Sequence, residues 1–223
     1  MPLNKSNGEM YDWVSHTHSH LGGKCPHECC YCAIQDMAQR FPGMKKKYSG
    51  ELRLVEKEFD VKYGSGNTIF VENCNDLFCD ACPDSFISRV LDHCDQWPEN
   101  TYVFQTKNPA RYFKFFGRFW TFGERIILGT TIETNRPNPD MTVVPFRTFL
   151  TLEPILDFDV TVLASYIVGC KPEFVNLGAD SKGHGLDEPI VEKIYDLVDE
   201  LKKYGIELRV KRNLDKLKAR QAR

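Results

Sequence analysis

The strongest constraint on this chain is an alternation of short apolar runs with longer amphipathic stretches. The runs fall at Asp12–His16, Thr68–Glu72, Thr101–Thr106, Arg125–Ile132, Arg147–Leu152, Phe174–Leu177 and Ile206–Val210. Most are rich in Val, Ile, Phe or Thr and lack polar alternation, the pattern of strands covered on both faces. Three intervening segments read as helices. Ala33–Arg40 is the first. Pro83–Asp95 opens with a proline suited to a first turn and keeps Phe86, Ile87, Val90, Leu91 and Cys94 on one stripe. Glu188–Tyr204 lines up Ile190, Val191, Ile194, Leu197, Val198 and Leu201, with Gly205 placed to cap it. Strand–helix–strand repeats imply a parallel sheet with right-handed crossovers. The expected fold class is α/β, a partial (β/α) barrel of about six or seven parallel strands. An open doubly wound sheet would give the same pattern.

A chain of 223 residues has room for one large α/β domain or two small ones. One domain over 1–223 is expected, with a basic C-terminal extension from about residue 212. Formal net charge is only −2, so no global field draws the protein to nucleic acid or membrane. The end of the chain departs from this. Lys202 to Arg223 carries nine Lys/Arg against Glu207 and Asp215, an excess of seven positive charges. Such a run reads either as a solvated helix face or loose tail, or as a contact for an anionic partner, nucleic acid included. Met1 to Asp12 lacks the apolar stretch of a signal peptide, and no apolar run is long enough to span a bilayer. A cytoplasmic, reducing compartment is expected. Nine cysteines, an odd number, then argue against a disulfide framework and for metal ligands or small buried apolar residues.

Three of those cysteines are tightly grouped. Within Gly22-Gly23-Lys24-Cys25-Pro26-His27-Glu28-Cys29-Cys30-Tyr31-Cys32, the residues Cys25, Cys29 and Cys32 stand at Cys-x3-Cys-x2-Cys spacing. Three thiolates on one short loop suit three irons of a 4Fe-4S cubane and leave the fourth iron open. An open metal position is a place for chemistry, as in catalytic zinc sites. The loop follows one strand-like run and leads into a helix, which puts it at a strand mouth where α/β folds collect ligands. A structural zinc site is the competing reading, with His27 or Cys30 as a fourth ligand. Cys74, Cys79, Cys82 and Cys94 could form a second metal site, although Cys94 is more simply core. His16, His18 and His20 alternate and would share one face of an extended strand. They read as a metal or substrate contact, or as ordinary histidines at a strand end.

The segment Cys25 to Cys32, with aromatic Tyr31 directly before the last cysteine, resembles the signature of the radical S-adenosylmethionine superfamily. The likeness continues through Phe70-Val71-Glu72-Asn73-Cys74-Asn75-Asp76-Leu77-Phe78, Gln105-Thr106-Lys107-Asn108-Pro109, Leu128-Gly129-Thr130-Thr131-Ile132-Glu133, Leu150-Thr151-Leu152-Glu153-Pro154 and Asn176-Leu177-Gly178-Ala179-Asp180. That order covers most of the chain and is similar to a phage-associated branch of the superfamily.

The resemblance implies an enzyme with two cofactors, a 4Fe-4S cluster on Cys25, Cys29 and Cys32 and S-adenosylmethionine. It implies reductive cleavage of S-adenosylmethionine to a 5′-deoxyadenosyl radical, which abstracts hydrogen from a substrate. An external one-electron reductant such as flavodoxin or ferredoxin would be a partner. Tyr31 would shield the cluster and pack on the adenosyl group. Glu72, Asn73 and Asp76 would help hold the methionyl part, and Thr131 and Glu133 are candidates for the ribose hydroxyls. Glu153 is a candidate for the same cavity. Lys107 and Lys211 are candidates for a carboxylate or phosphate. The bland alternative for each is a solvated loop charge. No catalytic residue beyond the cofactor ligands is identifiable. A nucleotide or nucleic-acid substrate is favoured over an amino acid or peptide. Two competing functions keep the cysteine loop without the radical reaction: a zinc- or cluster-stabilised binding module, and a pure electron carrier.

Overall fold

The computed structural model describes residues 3–6, 11–134, 141–180 and 182–221. Its strands are β1 (Asn4–Lys5), β2 (His16–His18), β3 (Leu21–Gly22), β4 (Arg53–Leu54), β5 (Thr68–Val71), β6 (Thr101–Thr106), β7 (Ile126–Thr131), β8 (Arg147–Leu152), β9 (Phe174–Leu177) and β10 (Glu207–Val210). The helices are α1 (Ala33–Arg40), α2 (Pro42–Lys47), α3 (Asp84–Asp95), α4 (Phe116–Phe122), α5 (Val160–Cys170), α6 (Val191–Lys203) and α7 (Asn213–Gln221). The fold is α/β. Eight strands hydrogen-bond in the linear order β1-β2-β5-β6-β7-β8-β9-β10, and β3 pairs with β4 alone. Apart from β1, which is antiparallel, the sheet has seven strands, within the expected six or seven. The order is that of an open sheet rather than a closed barrel.

The chain divides into two compact units, residues 1–128 and 129–223. In the first, β2 pairs parallel with β5 and β5 with β6, while β1 runs antiparallel along β2. The first strand sits later than expected. Residues 11–14 close a turn, Val14 N–H donating to Tyr11 O at 3.1 Å, and only His16–His18 finds a ladder, opposite Ile69, Phe70 and Val71. Strand propensity in Trp13 and Val14 yields to the position of the partner strand. Helix α3 buries Ile87, Val90, Leu91 and Cys94 as its spacing predicts, and the same stripe carries His93. In the second unit, β8 pairs parallel with β9 and β9 with β10. Helix α5 is capped by Asp159, whose carboxylate accepts from Val162 N at 2.9 Å. Helix α6 buries Ile194, Leu197 and Leu201, but Ile190 lies before its first turn and is exposed. Helix α7 buries Leu214 and Leu217, so the basic end begins as a docked helix. Residues 222 and 223 of that basic run lie outside the described residues. Among the described residues, no helix is long and apolar enough to cross a membrane.

One packing contact in the second unit is sterically exclusive. Phe149 is fully buried, and its ring stacks on Phe174 with centroids 5.4 Å apart. The same ring lies over Gly129, where an added Cβ would come within 2.2 Å of it. Gly129→Ala is therefore expected to overpack this core and lower stability by about 1–3 kcal/mol. Gly117→Ala, on α4 with nothing within 4 Å of its Cβ position, should be neutral or slightly stabilising. Thermal denaturation of the two variants checks the contrast.

Candidate functional site

In the first unit the chain leaves β3 and enters the cysteine loop through Gly22 and Gly23. Gly23 has φ +96°, and a Cβ there would lie 2.2 Å from Glu51 O, so only glycine fits. Two turns then coil the loop. Glu28 N–H donates to Cys25 O at 3.4 Å and Cys32 N–H to Cys29 O at 3.1 Å, and α1 starts directly after Cys32. Cys25, Cys29 and Cys32 are half-buried and in no disulfide, whereas Cys30 is exposed. The Cys25 sulfur is approached by the backbone N–H groups of His27 and Asp76. Burial, the largest effect, nevertheless pushes the Cys25 thiol up to about 11. A metal bound here would have to displace that proton.

Asp76 is the hub beside the loop. One of its carboxylate oxygens accepts from His27 Nε2 at 2.6 Å, Thr106 Oγ1 at 2.9 Å and Lys107 N at 2.9 Å; the other accepts from Phe78 N at 2.9 Å. Lys107 extends to Tyr31, its Nζ donating to the phenol oxygen at 2.5 Å. Burial pulls the Lys107 ammonium below its usual value, against Cys29, Asp76, Cys25 and Cys32, whose negative charge favours the cation. One cation thus sits in the field of all three cysteines. Asn75 donates to Gly23 O at 3.1 Å, while its buried Oδ1 has no hydrogen-bond partner among the described residues.

Glu72 closes the inner side. It has φ +60° and is almost fully buried. Its carboxylate accepts from His20 N at 2.6 Å, His20 Nδ1 at 2.8 Å and Leu21 N at 3.2 Å. Asn73 Oδ1 accepts from Ser19 Oγ at 3.2 Å. The first unit therefore brings together Cys25, Cys29, Cys32, Tyr31, Asp76 and Lys107, with Glu72 and Asn73 turned toward Ser19–Leu21. His27 is engaged by Asp76.

The other cysteines are differently placed. Cys79 and Cys82 are buried in a turn whose carbonyls are held by Arg111, which donates to Cys79 O at 3.1 Å and to Cys82 O at 2.7 Å. Burial pushes Cys79 up to about 11 and Cys82 up to about 12. Cys74 is approached by the hydroxyls of Tyr48 and Ser19, and Cys94 is core. Among the described residues, only His18, His20 and His93 bring three potential ligand atoms mutually within 4.8 Å. Three cysteines on one short loop, beside the Lys107 cation, are a donor set that fits an iron–sulfur cluster. His93 escapes sequence reasoning because it falls on the apolar stripe of α3; its position three residues after Val90 was the available signal.

The remaining predicted residues belong to the second unit. Thr131 ends β7, and Glu133 is half-buried, its carbonyl accepting from Leu156 N at 2.6 Å. Glu153 is held by Lys211 Nζ at 2.6 Å and Asn213 Nδ2 at 2.9 Å. Gly178 lies against this carboxyl, a Cβ there being 3.0 Å from Glu153 Cδ. Asp180 is buried, which opposes ionisation, yet hydrogen bonds from His184 and the Lys182 and His184 amides hold it below the usual carboxylate range.

Removing the Asp76 carboxylate should leave several buried donors unmet. Asp76→Ala is expected to lower stability by about 1.5–3 kcal/mol, and Thr106→Val, which removes one of those donors, by about 1 kcal/mol. Urea midpoints at unchanged m-value measure both.

No curated protein matches the sequence. Two solved structures share its fold. One is a double mutant of spore photoproduct lyase with bound AdoMet and dinucleoside spore photoproduct, at TM-score 0.52 and 10% identity, covering 91% of this chain and 66% of that one. The other is a single mutant of spore photoproduct lyase, at TM-score 0.51 and 8% identity, covering 92% of this chain and 78% of that one. The chain thus spans just under two thirds of the length of the first. A family model described as "Protein of unknown function (DUF5131)" matches residues 10–212, and the chain belongs to that family.

Proposed function

We propose that the protein is a radical S-adenosylmethionine enzyme whose cluster is held by Cys25, Cys29 and Cys32. The observation that carries this reading is the half-buried cysteine trio, coiled by two turns and flanked by the Lys107 cation. When bound, a 4Fe-4S cluster supplies the single electron that cleaves S-adenosylmethionine to methionine and a 5′-deoxyadenosyl radical. The occurrence of this fold in a protein with bound AdoMet supports the same cosubstrate here.

The chain's own residues have separate tasks in this reading. Backbone N–H groups of His27 and Asp76 favour a thiolate at Cys25. Lys107 offsets the negative charge of three thiolates and orients the Tyr31 ring through its hydroxyl. Asn75 Oδ1 offers an unmet buried acceptor to a ligand ammonium. Glu72 holds the chain path into the loop rather than offering a free carboxylate. Thr131, Glu133 and Glu153 are retained as cosubstrate contacts on the resemblance. An external reductant such as flavodoxin or ferredoxin delivers the electron.

Anaerobic reconstitution with iron and sulfide should give a brown protein that forms 5′-deoxyadenosine from S-adenosylmethionine under dithionite. Cys25→Ala, Cys29→Ala and Cys32→Ala should each abolish product, and Cys30→Ala should retain it. A colourless protein with stoichiometric zinc on these cysteines would mean a binding module instead, and a brown protein that never consumes S-adenosylmethionine would mean an electron carrier.

For the substrate, a nucleotide or nucleic acid is the reading we favour. A dinucleoside ligand in a protein of this fold and the basic run from Lys202 support it. Deleting α7 would expose Leu214 and Leu217, so charge substitution is the cleaner probe. Lys216→Glu, Lys218→Glu and Arg220→Glu together should weaken DNA binding and reduce the slope of log affinity against log salt by about 3. An unchanged slope rejects contact through this helix.

A further inference from the structure

A second set of chemistry-bearing side chains lies in the first unit, apart from the cysteine loop. His18 ends β2, His20 follows it and His93 stands in the last turn of α3; all three are buried, as is Tyr63. Their hydrogen bonds fix the tautomers. His93 Nε2 lies 3.0 Å from Val61 O, and a carbonyl only accepts, so this nitrogen carries the hydrogen. His20 Nδ1 faces the Glu72 carboxylate at 2.8 Å and His18 Nε2 faces Glu58 at 3.3 Å, so these nitrogens also donate. The lone pairs left over are those of His93 Nδ1, His20 Nε2 and His18 Nδ1.

All three turn inward on the same spot. His20 Nε2 and His93 Nδ1 are 2.8 Å apart with no hydrogen between them in these tautomers. Tyr63 Oη is 2.7 Å from His18 Nδ1 and 3.1 Å from His20 Nε2, and its one hydrogen can serve only one of them. Two facing lone pairs repel, so something positive must lie there. A proton on the His20–His93 pair, with the Tyr63 hydrogen given to His18 Nδ1 at 2.7 Å, would satisfy the same nitrogens. One divalent ion meets all three at once, and its uptake separates the two arrangements. Outer N–H groups on a carboxylate or carbonyl are how proteins orient imidazoles that bind metal.

We propose that His18 Nδ1, His20 Nε2 and His93 Nδ1 form a buried site for one divalent transition-metal ion of the zinc type, with Tyr63 Oη beside the fourth position. Three imidazoles suit zinc, copper, iron or nickel, and neutral nitrogens with outer carboxylates exclude magnesium and calcium. Two imidazoles on one tetrahedral ion stand about 3.3 Å apart, so occupancy would separate His20 and His93 by about half an ångström. The Glu72 carboxylate, and Glu58 in part because Lys47 Nζ also holds it at 2.9 Å, would offset the charge of the ion. Because Glu72 also holds the amides of His20 and Leu21, the ion would fasten the strand end that leads into the cysteine loop.

The test uses the full chain carrying Cys25→Ala, Cys29→Ala and Cys32→Ala, so that its outcome is separate from that of the cluster. Stoichiometric zinc by elemental analysis is expected. Exchange with cobalt should give visible ligand-field bands without a thiolate-to-cobalt charge-transfer band, the signature of nitrogen and oxygen ligands. This reading needs no histidine variant to fold. Glu72→Gln should weaken zinc binding about 10–100-fold, and His93→Gln should lower it at least as far. A folded, metal-free chain that takes up no zinc or cobalt overturns the proposal, as does cobalt bound through sulfur, which would point to the six cysteines that remain.

Discussion

The local order of the first unit depends on one buried carboxylate. Glu72 stands immediately past β5, in a left-handed backbone conformation, and reaches back to the amides of His20 and Leu21. Two backbone donors that would otherwise be buried without a partner are thereby satisfied, and β2 is handed to β3 along a fixed path. Stranding a buried charge by removing one side of such an arrangement costs about 3–5 kcal/mol. The same carboxylate accepts from His20 Nδ1, so the backbone path and the imidazole cluster are set by one group. Gly22 and Gly23 then carry the chain past Lys47 and Glu51 so closely that no side chain fits at Gly23.

Four residues beyond Glu72, Asp76 does for the cysteine loop what Glu72 does for the strand ends. It gathers His27 from the loop and Thr106 and Lys107 from the end of β6. The turn between these acids therefore has two outputs, one directed to a nitrogen-lined pocket and one to a sulfur-lined loop. Lys107 links the second output to Tyr31. Its cation is costly to bury, and the fields of Cys25, Cys29 and Cys32 offset that cost in proportion to how fully the cysteines are ionised. Metal loading, which deprotonates cysteines, would therefore strengthen the same contact that orients the aromatic ring.

Much of this was legible in the sequence. Thr101–Thr106, Arg147–Leu152 and Phe174–Leu177 fall on their observed strands because their apolar runs are uninterrupted and covered on both faces. Ala33–Arg40 is likewise a helix over the expected span. The strand expected at Asp12–His16 moved to His16–His18, because pairing with β5 outweighs local propensity. Spacing identified the cysteine loop, since its ligands are close in sequence. Spacing missed the histidine cluster for the opposite reason. His93 meets His18 and His20 only through tertiary folding, and an alternating His16-His18-His20 pattern suggested the wrong third member. His16 instead lies beside the Ser15 hydroxyl at the exposed start of β2. The basic C-terminus shows a further limit, because composition reports charge but not that Leu214 and Leu217 dock the helix carrying it.

The division of donors between the two sites has a physical logic. Under the proposed function, thiolates suit a soft iron–sulfur group and a site admitting a cosubstrate needs partial exposure; the cysteine trio is half-buried. Imidazoles with carboxylate-anchored outer nitrogens favour a borderline ion that exchanges little with solvent, and His18, His20 and His93 are nearly inaccessible. Were both groups bound, sharing one turn, Glu72 to Asp76, would let the buried site stiffen the exposed one without donating a ligand to it. The cysteine loop cannot rely on its own contacts, since it offers few apolar side chains to bury. It relies instead on two acids whose positions are set beneath it.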